Sequence, residues 1–197
     1  KLMFEKILNN RFIVLYIAPF FLGSLTVFSF QPFNLSFINF FLLPMFFLLT
    51  VYVNKKSKST YRKKPFKRNF FLLGFIFGFG FYLSGIFWIA HSLTFDESFK
   101  ILIPVAIFVI PLFLGLFLGI TILIIGPFLN YNFSSLLLFS GSIALSDFIR
   151  GKILTGFPWN IWSYSLSWFT EILQILNKIG FYSFNLIVIT IFSIPAI

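Results

Sequence analysis

The feature that most constrains this chain is a stretch from Phe12 to Val53 that contains no charged residue. A second uncharged stretch runs from Ile101 to Ser146. A membrane-spanning helix needs about 20 apolar residues, because it crosses roughly 30 Å of hydrocarbon at about 1.5 Å per residue. Each stretch is therefore long enough for two spans. Charged residues make up only 10% of the chain, too few for the surface of an ordinary soluble domain.

Turn-forming residues divide these stretches into separate helices. Gln31–Asn34 breaks the first stretch, and Gly126–Pro127 with Asn130–Asn132 breaks the second. The sequence therefore predicts an all-α integral membrane protein, a polytopic bundle of about six transmembrane helices. We expect these helices at about 12–30, 35–53, 70–90, 101–125, 133–150 and 172–195.

The basic residues predict the orientation of the bundle. Eight of the fifteen Lys and Arg residues lie between Lys55 and Arg68, and basic loops usually stay in the cytoplasm. Two spans separate this loop, 54–69, from the basic N-terminus, so both are expected on the cytoplasmic side. The segment 151–171 then faces outward, and its Gly156 and Pro158 suit a re-entrant or interfacial loop better than a span.

Small residues and tryptophans give two further expectations. Gly74 and Gly78 in the third helix, and Gly115 and Gly119 in the fourth, have the spacing that lets helices approach closely in lipid. All four Trp residues fall on the predicted outer side, which is typical of an aromatic belt at headgroup level, although such a belt normally lies at both interfaces. The one-sided placement of these tryptophans suggests that the outer face carries the elaborated surface. Their positions are 88, 159, 162 and 168.

Composition also excludes several kinds of chemistry for this chain. It contains no Cys and only one His, so thiolate nucleophiles and multi-histidine metal sites are ruled out, and neither a metal nor a cofactor is expected. The net charge of +10 is concentrated beside apolar spans, which indicates a membrane surface and not a nucleic-acid partner.

Three residues carry charge or proton chemistry near the predicted outer side. Asp147 and Arg150 are three residues apart on one helix face and are expected either to form an anchoring ion pair or to orient an anionic headgroup. His91 follows the third helix close to Trp88, where an interfacial hydrogen-bonding role is more common than catalysis. No G-x-S-x-G nucleophile motif is present.

The segment from residue 148 to 159 resembles the signature of bacterial apolipoprotein N-acyltransferases. The resemblance rests on this segment, on the glycine-rich third helix, and on the first turn. The matching residues are Phe148-Ile149-Arg150-Gly151, Leu154-Thr155-Gly156-Phe157-Pro158-Trp159, Gly74-Phe75, Gly78-Phe79-Gly80, Ser84-Gly85-Ile86, Trp88 and Phe28-Ser29-Phe30-Gln31-Pro32. Asp147 stands where the family is expected to have an acidic residue, often Glu.

The resemblance implies a protein of the bacterial inner membrane with a membrane bundle and an outer nitrilase-like domain. In this family a Glu–Lys–Cys triad in that domain takes an acyl chain from a phospholipid as a thioester. It then passes the chain to the diacylglyceryl-cysteine of a lipoprotein. This chain begins at Lys1 and stops at Ile197 inside an apolar run, so we expect it to be the membrane portion without the catalytic domain, inactive alone and monomeric.

The resemblance also suggests which residues would position the lipid substrates, although none of them is assigned a catalytic role. These candidates are Trp88, His91, Asp147, Arg150, Thr155 and Trp159. Two other interpretations remain open. The chain could be a small polytopic transporter or channel subunit, for which buried ionisable residues and internal repeats would be typical. It could also be an inert membrane scaffold that anchors a partner.

Overall fold

A computed structural model of the chain describes residues 9–57, 67–153 and 156–197. In this part of the chain every regular element is helical, which confirms the all-α prediction. Four helices are long and apolar enough to cross a membrane, and two more are apolar but shorter. In chain order the six helices are α1 (Ile13–Ser29), α2 (Ser36–Ser57), α3 (Lys67–Ser92), α4 (Val105–Phe128), α5 (Phe133–Arg150) and α6 (Phe181–Ala196).

Helix α3 lies at the centre of the bundle, between α1 and α4, because glycines remove the side chains that would hold the helices apart. A Cβ atom built on Gly78 would lie 3.0 Å from the Cα of Gly115 in α4. One built on Gly23 of α1 would overlap the carbonyl oxygen of Phe77. The predicted packing role of these glycines is thus confirmed, and the structure shows that they bring α3 and α4 together. Helix α1 approaches α3 in the same way.

The core of the bundle is filled mainly by aromatic rings. Phe46 of α2 stacks on Phe77 of α3 with 3.8 Å between ring centroids. Phe81 stacks on Trp162, with centroids 4.9 Å apart and planes within 4°. Trp162 is only 1% exposed, so the prediction that all four tryptophans form an interfacial belt is wrong for this one. Its indole fills the space beneath the loop that follows α5.

The last helix begins later than the sequence indicated. Gly180 has a φ of +78°, which an α-helix cannot accommodate. The predicted helix at 172–195 is therefore interrupted there, and α6 starts at Phe181. Before it, the chain makes two short helical turns, Thr170–Leu173 and Leu176–Ile179.

Contacts between the segments that join the helices define two ends of the bundle. At the first, which we call the basic end, Asn54 at the end of α2 donates a hydrogen bond of 2.8 Å to the carbonyl of Leu129, between α4 and α5. The starts of α1 and α3 lie at this end as well. At the other, which we call the loop end, Trp88 contacts Trp159. Most of the predicted basic loop, residues 58–66, lies outside the described residues.

Candidate functional site

A buried ion pair ties the end of α5 to α6. Asp147 and Arg150 lie one helical turn apart, and the Arg150 Nη2 donates to the Asp147 Oδ1 at 3.0 Å. The second carboxylate oxygen, Oδ2, accepts a hydrogen bond of 2.9 Å from Asn185 Nδ2 in α6. The Arg150 and Asp147 side chains are only 1% and 4% exposed. Each charge is thus compensated inside the protein, as burial in a membrane bundle requires.

Arg150 also fixes the backbone of the loop that follows α5. Its Nη1 donates to the carbonyl oxygen of Phe157 at 2.6 Å and to that of Trp159 at 2.7 Å. From the other side, Asn185 Oδ1 accepts a hydrogen bond of 3.0 Å from the backbone N–H of Ser163. These contacts satisfy irregular backbone that would otherwise be costly at this depth. The guanidinium lies over the ring of Tyr82, 5.1 Å from its centroid.

Above this network lies a cavity of about 490 Å³ at the loop end. Its walls come from the turn between α1 and α2, from the end of α3, and from the loop after α5. Trp88 and Trp159 both line it and contact each other edge to face, with 6.0 Å between ring centroids. The lining combines aromatic rings with amide and hydroxyl groups, and includes Phe30, Gln31, Ser84, Asn160, Tyr164 and Ser167.

The loop reaches the cavity because α3 has a glycine where it passes. A Cβ atom on Gly85 would overlap the side-chain amide of Asn160. Asn160 itself has a φ of +54°, a conformation that Asn tolerates better than most residues. Gly85 and Asn160 therefore determine how closely the loop packs against α3.

The predicted site residues do not all lie in one place. Trp88 and Trp159 form the cavity wall, and Asp147 with Arg150 lies behind it, bonded to the loop that carries Trp159. His91 is exposed, beyond the cavity lining, with its ring 5.5 Å from that of Phe95. Thr155 lies outside the described residues.

Sequence reasoning missed Asn185 and Ser163, which complete the network, and Asn160. Asn185 carried a usable signal, since it is a polar residue inside an apolar helix and such residues are usually paired within the bundle. Ser163 and Asn160 carried none, because polar residues are ordinary in a loop.

The side chains that line the cavity are of types suited to binding a ligand. Burial raises the pKa of Tyr164 above its ordinary value, so its hydroxyl stays protonated and remains a hydrogen-bond donor at neutral pH. The indole, amide and hydroxyl groups can donate hydrogen bonds to oxygen acceptors, and the rings offer an apolar surface. No cluster of side chains with metal-ligand chemistry occurs in residues 9–57, 67–153 and 156–197.

Comparison with known proteins agrees with the resemblance. Residues 22–194 match the family model for the apolipoprotein N-acyltransferase N-terminal domain. The apolipoprotein N-acyltransferase of Rhodopseudomonas palustris is 28% identical over 176 residues, 89% of this chain and 32% of its own length. That of Bradyrhizobium diazoefficiens is 30% identical, over 88% of this chain and 32% of its own length. That of Rickettsia bellii is 37% identical over 60% of this chain and 24% of its own length.

The chain thus spans between a quarter and a third of the length of these curated relatives. The matched region includes the α5 ion pair, the loop that it holds, and both tryptophans of the cavity. The six apolar helices agree with a membrane domain. The chain belongs to the apolipoprotein N-acyltransferase family, within its N-terminal domain.

Proposed function

We propose that this chain forms the membrane part of an enzyme that transfers an acyl chain from a phospholipid to a lipoprotein. The acceptor is the α-amino group of the N-terminal diacylglyceryl-cysteine. The chain's own part is to hold the lipid substrates at the loop end. The observation that carries this proposal is the cavity lined by Trp88 and Trp159, which combines aromatic walls with hydrogen-bond donors at one end of a membrane bundle.

The chemistry of lipids explains why such a cavity suits them. An acyl ester has a hydrocarbon chain, which aromatic rings accept, and carbonyl and phosphate oxygens, which need donors. The Trp88 and Trp159 side chains are 48% and 49% exposed, so both can contact a bound molecule. Tryptophan also favours the headgroup level of a bilayer. We place the loop end in the outer leaflet, with the N-terminus and the basic end in the cytoplasm.

Asp147 and Arg150 act in this proposal as positioning residues. Both are buried, and Arg150 reaches the site only through the carbonyl groups of Phe157 and Trp159. The network therefore holds the loop in place and does not itself touch a headgroup. His91 lies one helical turn beyond Trp88, on the same side of α3, and we assign it a headgroup contact at the rim. Thr155 remains a candidate substrate contact.

The transfer itself would follow two balanced steps on the Cys of the nitrilase-like domain that the family resemblance implies. The thiol gives up its proton and attacks the phospholipid ester as the thiolate. The thioester forms, the glycerol C–O bond to the acyl group breaks, and the glycerol oxygen takes up that proton as the lysophospholipid leaves. The free α-amine of the lipoprotein then attacks the thioester, forming an amide and regenerating the thiol. The chain supplies the binding geometry for both lipids, and we propose that it acts as a monomer.

The transporter or channel alternative gains no support from the buried charges. In the described residues the only buried charged side chains are Asp147 and Arg150, and these neutralise each other. They are engaged in holding a loop and do not line a path through the bundle.

The test uses the intact enzyme that carries this chain, with Trp88→Ala and Trp159→Ala as separate variants. Losing one aromatic wall should lower kcat/KM for lipoprotein N-acylation by about two- to tenfold, since an aromatic contact contributes about 0.5–1.5 kcal/mol. The matched control is Trp168→Ala, which removes a tryptophan of similar exposure, 43%, from the same loop but outside the cavity. Acylation would be followed by mass spectrometry of a lipoprotein N-terminus, at matched expression. Wild-type rates in both cavity variants would remove the cavity from the mechanism.

A further inference from the structure

The basic end of the bundle is a second surface, remote from the cavity. Two hydrogen bonds between different helices bring cationic side chains together there. Arg11, just before α1, donates from Nη2 to the Asn69 Oδ1 in α3 at 2.9 Å. Lys56 at the end of α2 donates from Nζ to the Asn9 Oδ1 at 2.8 Å. The basic residues at the ends of three helices are thus held at one face.

Aromatic side chains lie beside these cations. The Nζ of Lys55 is 3.9 Å from the centroid of the Tyr131 ring, in the turn between α4 and α5. The Nζ of Lys56 is 5.4 Å from that of Tyr52. Lysine and tyrosine together at the ends of spanning helices are typical of the headgroup level of a bilayer. The basic end is therefore placed where lipid headgroups lie.

Charge is distributed very unequally between the two ends. In the part of the chain that the structure describes, the carboxylates lie at the loop end, and basic residues there balance them. The acidic residues are Asp96, Glu97, Asp147 and Glu171, and the basic ones Lys100, Arg150, Lys152 and Lys178. At the basic end, Arg11, Lys55, Lys67 and Arg68 face no carboxylate among the described residues.

Such a cluster is electrostatically unfavourable unless an anion neutralises it. Lys67 and Arg68 begin α3, where the helix dipole is already positive and basic residues destabilise the helix end. Their position is therefore not explained by the stability of α3. An anion placed there would be attracted by both the side chains and the dipole.

We propose that the basic end binds the headgroup of an anionic phospholipid, as a site independent of acyl transfer. The positive charge of the cluster favours the phosphate group of a ligand. The location at the ends of spanning helices favours a lipid over a soluble anion. Phe12, which is 60% exposed beside Arg11, offers an apolar surface to the acyl chains. Each basic residue near an anionic lipid surface contributes attraction equivalent to about a fivefold change in affinity.

The test measures lipid binding to the purified chain in neutral detergent by native mass spectrometry. The probes are phosphatidylglycerol, which is anionic, and phosphatidylcholine, which has no net charge. The variant is the double substitution Lys67→Gln with Arg68→Gln, whose exposed side chains can be exchanged without disturbing the core. We expect its affinity for phosphatidylglycerol to fall about twentyfold and that for phosphatidylcholine to stay unchanged. Raising the salt to about 1 M should weaken the wild-type interaction as well.

The control is Lys152→Gln with Lys178→Gln, which removes the same charge from the loop end. It should change phosphatidylglycerol binding by less than about twofold, because removal of distant, screened charges has little effect. An equal loss in both double variants, or equal binding of the two lipids by the wild-type chain, would overturn the proposal. If soluble glycerol phosphate displaced the lipid at comparable concentration, the site would be for a free anion, and the lipid assignment would be wrong. None of these readouts requires acyl transfer, so they stand apart from the cavity experiment.

Discussion

Replacing Asp147 with Ala should be among the most damaging single changes in this chain. The substitution leaves the Arg150 guanidinium buried without its counter-charge, and it leaves the side-chain amide of Asn185 without its acceptor. Breaking a buried ion pair by removing one partner costs about 3–5 kcal/mol, because the remaining charge is still out of water. We therefore expect the free energy of unfolding to fall by about that amount, measured by titration with SDS in mixed micelles.

A double-mutant cycle separates the ion pair from the general effect of truncation. Arg150→Met removes the buried charge together with its bonds to the loop carbonyls, so this variant is itself destabilised. In that background Asp147→Ala should cost less than about 1 kcal/mol more, since no guanidinium remains to be neutralised. If Asp147→Ala costs the same with and without Arg150, the two residues are not coupled and the reasoning fails. A single-variant cost below about 1 kcal/mol would refute it too.

Two further predictions concern helix packing and titration. Gly23→Ala should destabilise the bundle by about 1–3 kcal/mol, since its new methyl group would overlap the backbone of α3, whereas Gly141→Ala, with nothing within 4 Å, should leave SDS unfolding unchanged or slightly improved. Equal effects would contradict the close approach of α1 and α3. Hydrogen bonds from the Ser98 hydroxyl and backbone N–H hold the pKa of Asp96 below its ordinary value of 3.8. The stability that these hydrogen bonds give to the turn at Glu97–Leu102 is therefore present at pH values above the ordinary pKa of Asp96. It is lost as the pH falls through the lowered pKa. An NMR titration of the Asp96 carboxyl carbon should have its midpoint below 3.8, and the midpoint should move up towards 3.8 in Ser98→Ala, which keeps the backbone hydrogen bond.

The helices could be predicted from the sequence because each is a long apolar run, bounded by Gly, Pro, Asn or charge. A packing role for the glycines of α3 and α4 could be predicted as well, since small residues at that spacing have few other uses in a membrane helix. Which helices they bring together could not be predicted. The start of α6 could not, because the residues around Gly180 suit a helix and only its positive φ interrupts it.

The buried face of each helix is what the sequence could not indicate. In a soluble protein, polar residues mark the outward face of a helix, but in lipid both faces are apolar and this signal is lost. Trp162 was expected at the interface because Trp favours the headgroup level, although it fills the core. From the sequence, the site could be predicted only as a list of candidate residues. Trp88 and Trp159 come together because the loop after α5 folds over α3. Their separation along the chain gives no indication of that contact.

The two ion pairs of the described residues have a consequence for how the protein enters the membrane. Both Glu97 with Lys100 and Asp147 with Arg150 join residues three positions apart, so each pair can form within a single helical turn. In the proposed orientation these four charges are among those that must be translocated during insertion. A lone charge in the bilayer centre costs about 2.5–3.5 kcal/mol on insertion scales. Crossing as a neutral pair avoids much of that barrier, before any other helix is available to shield the charges.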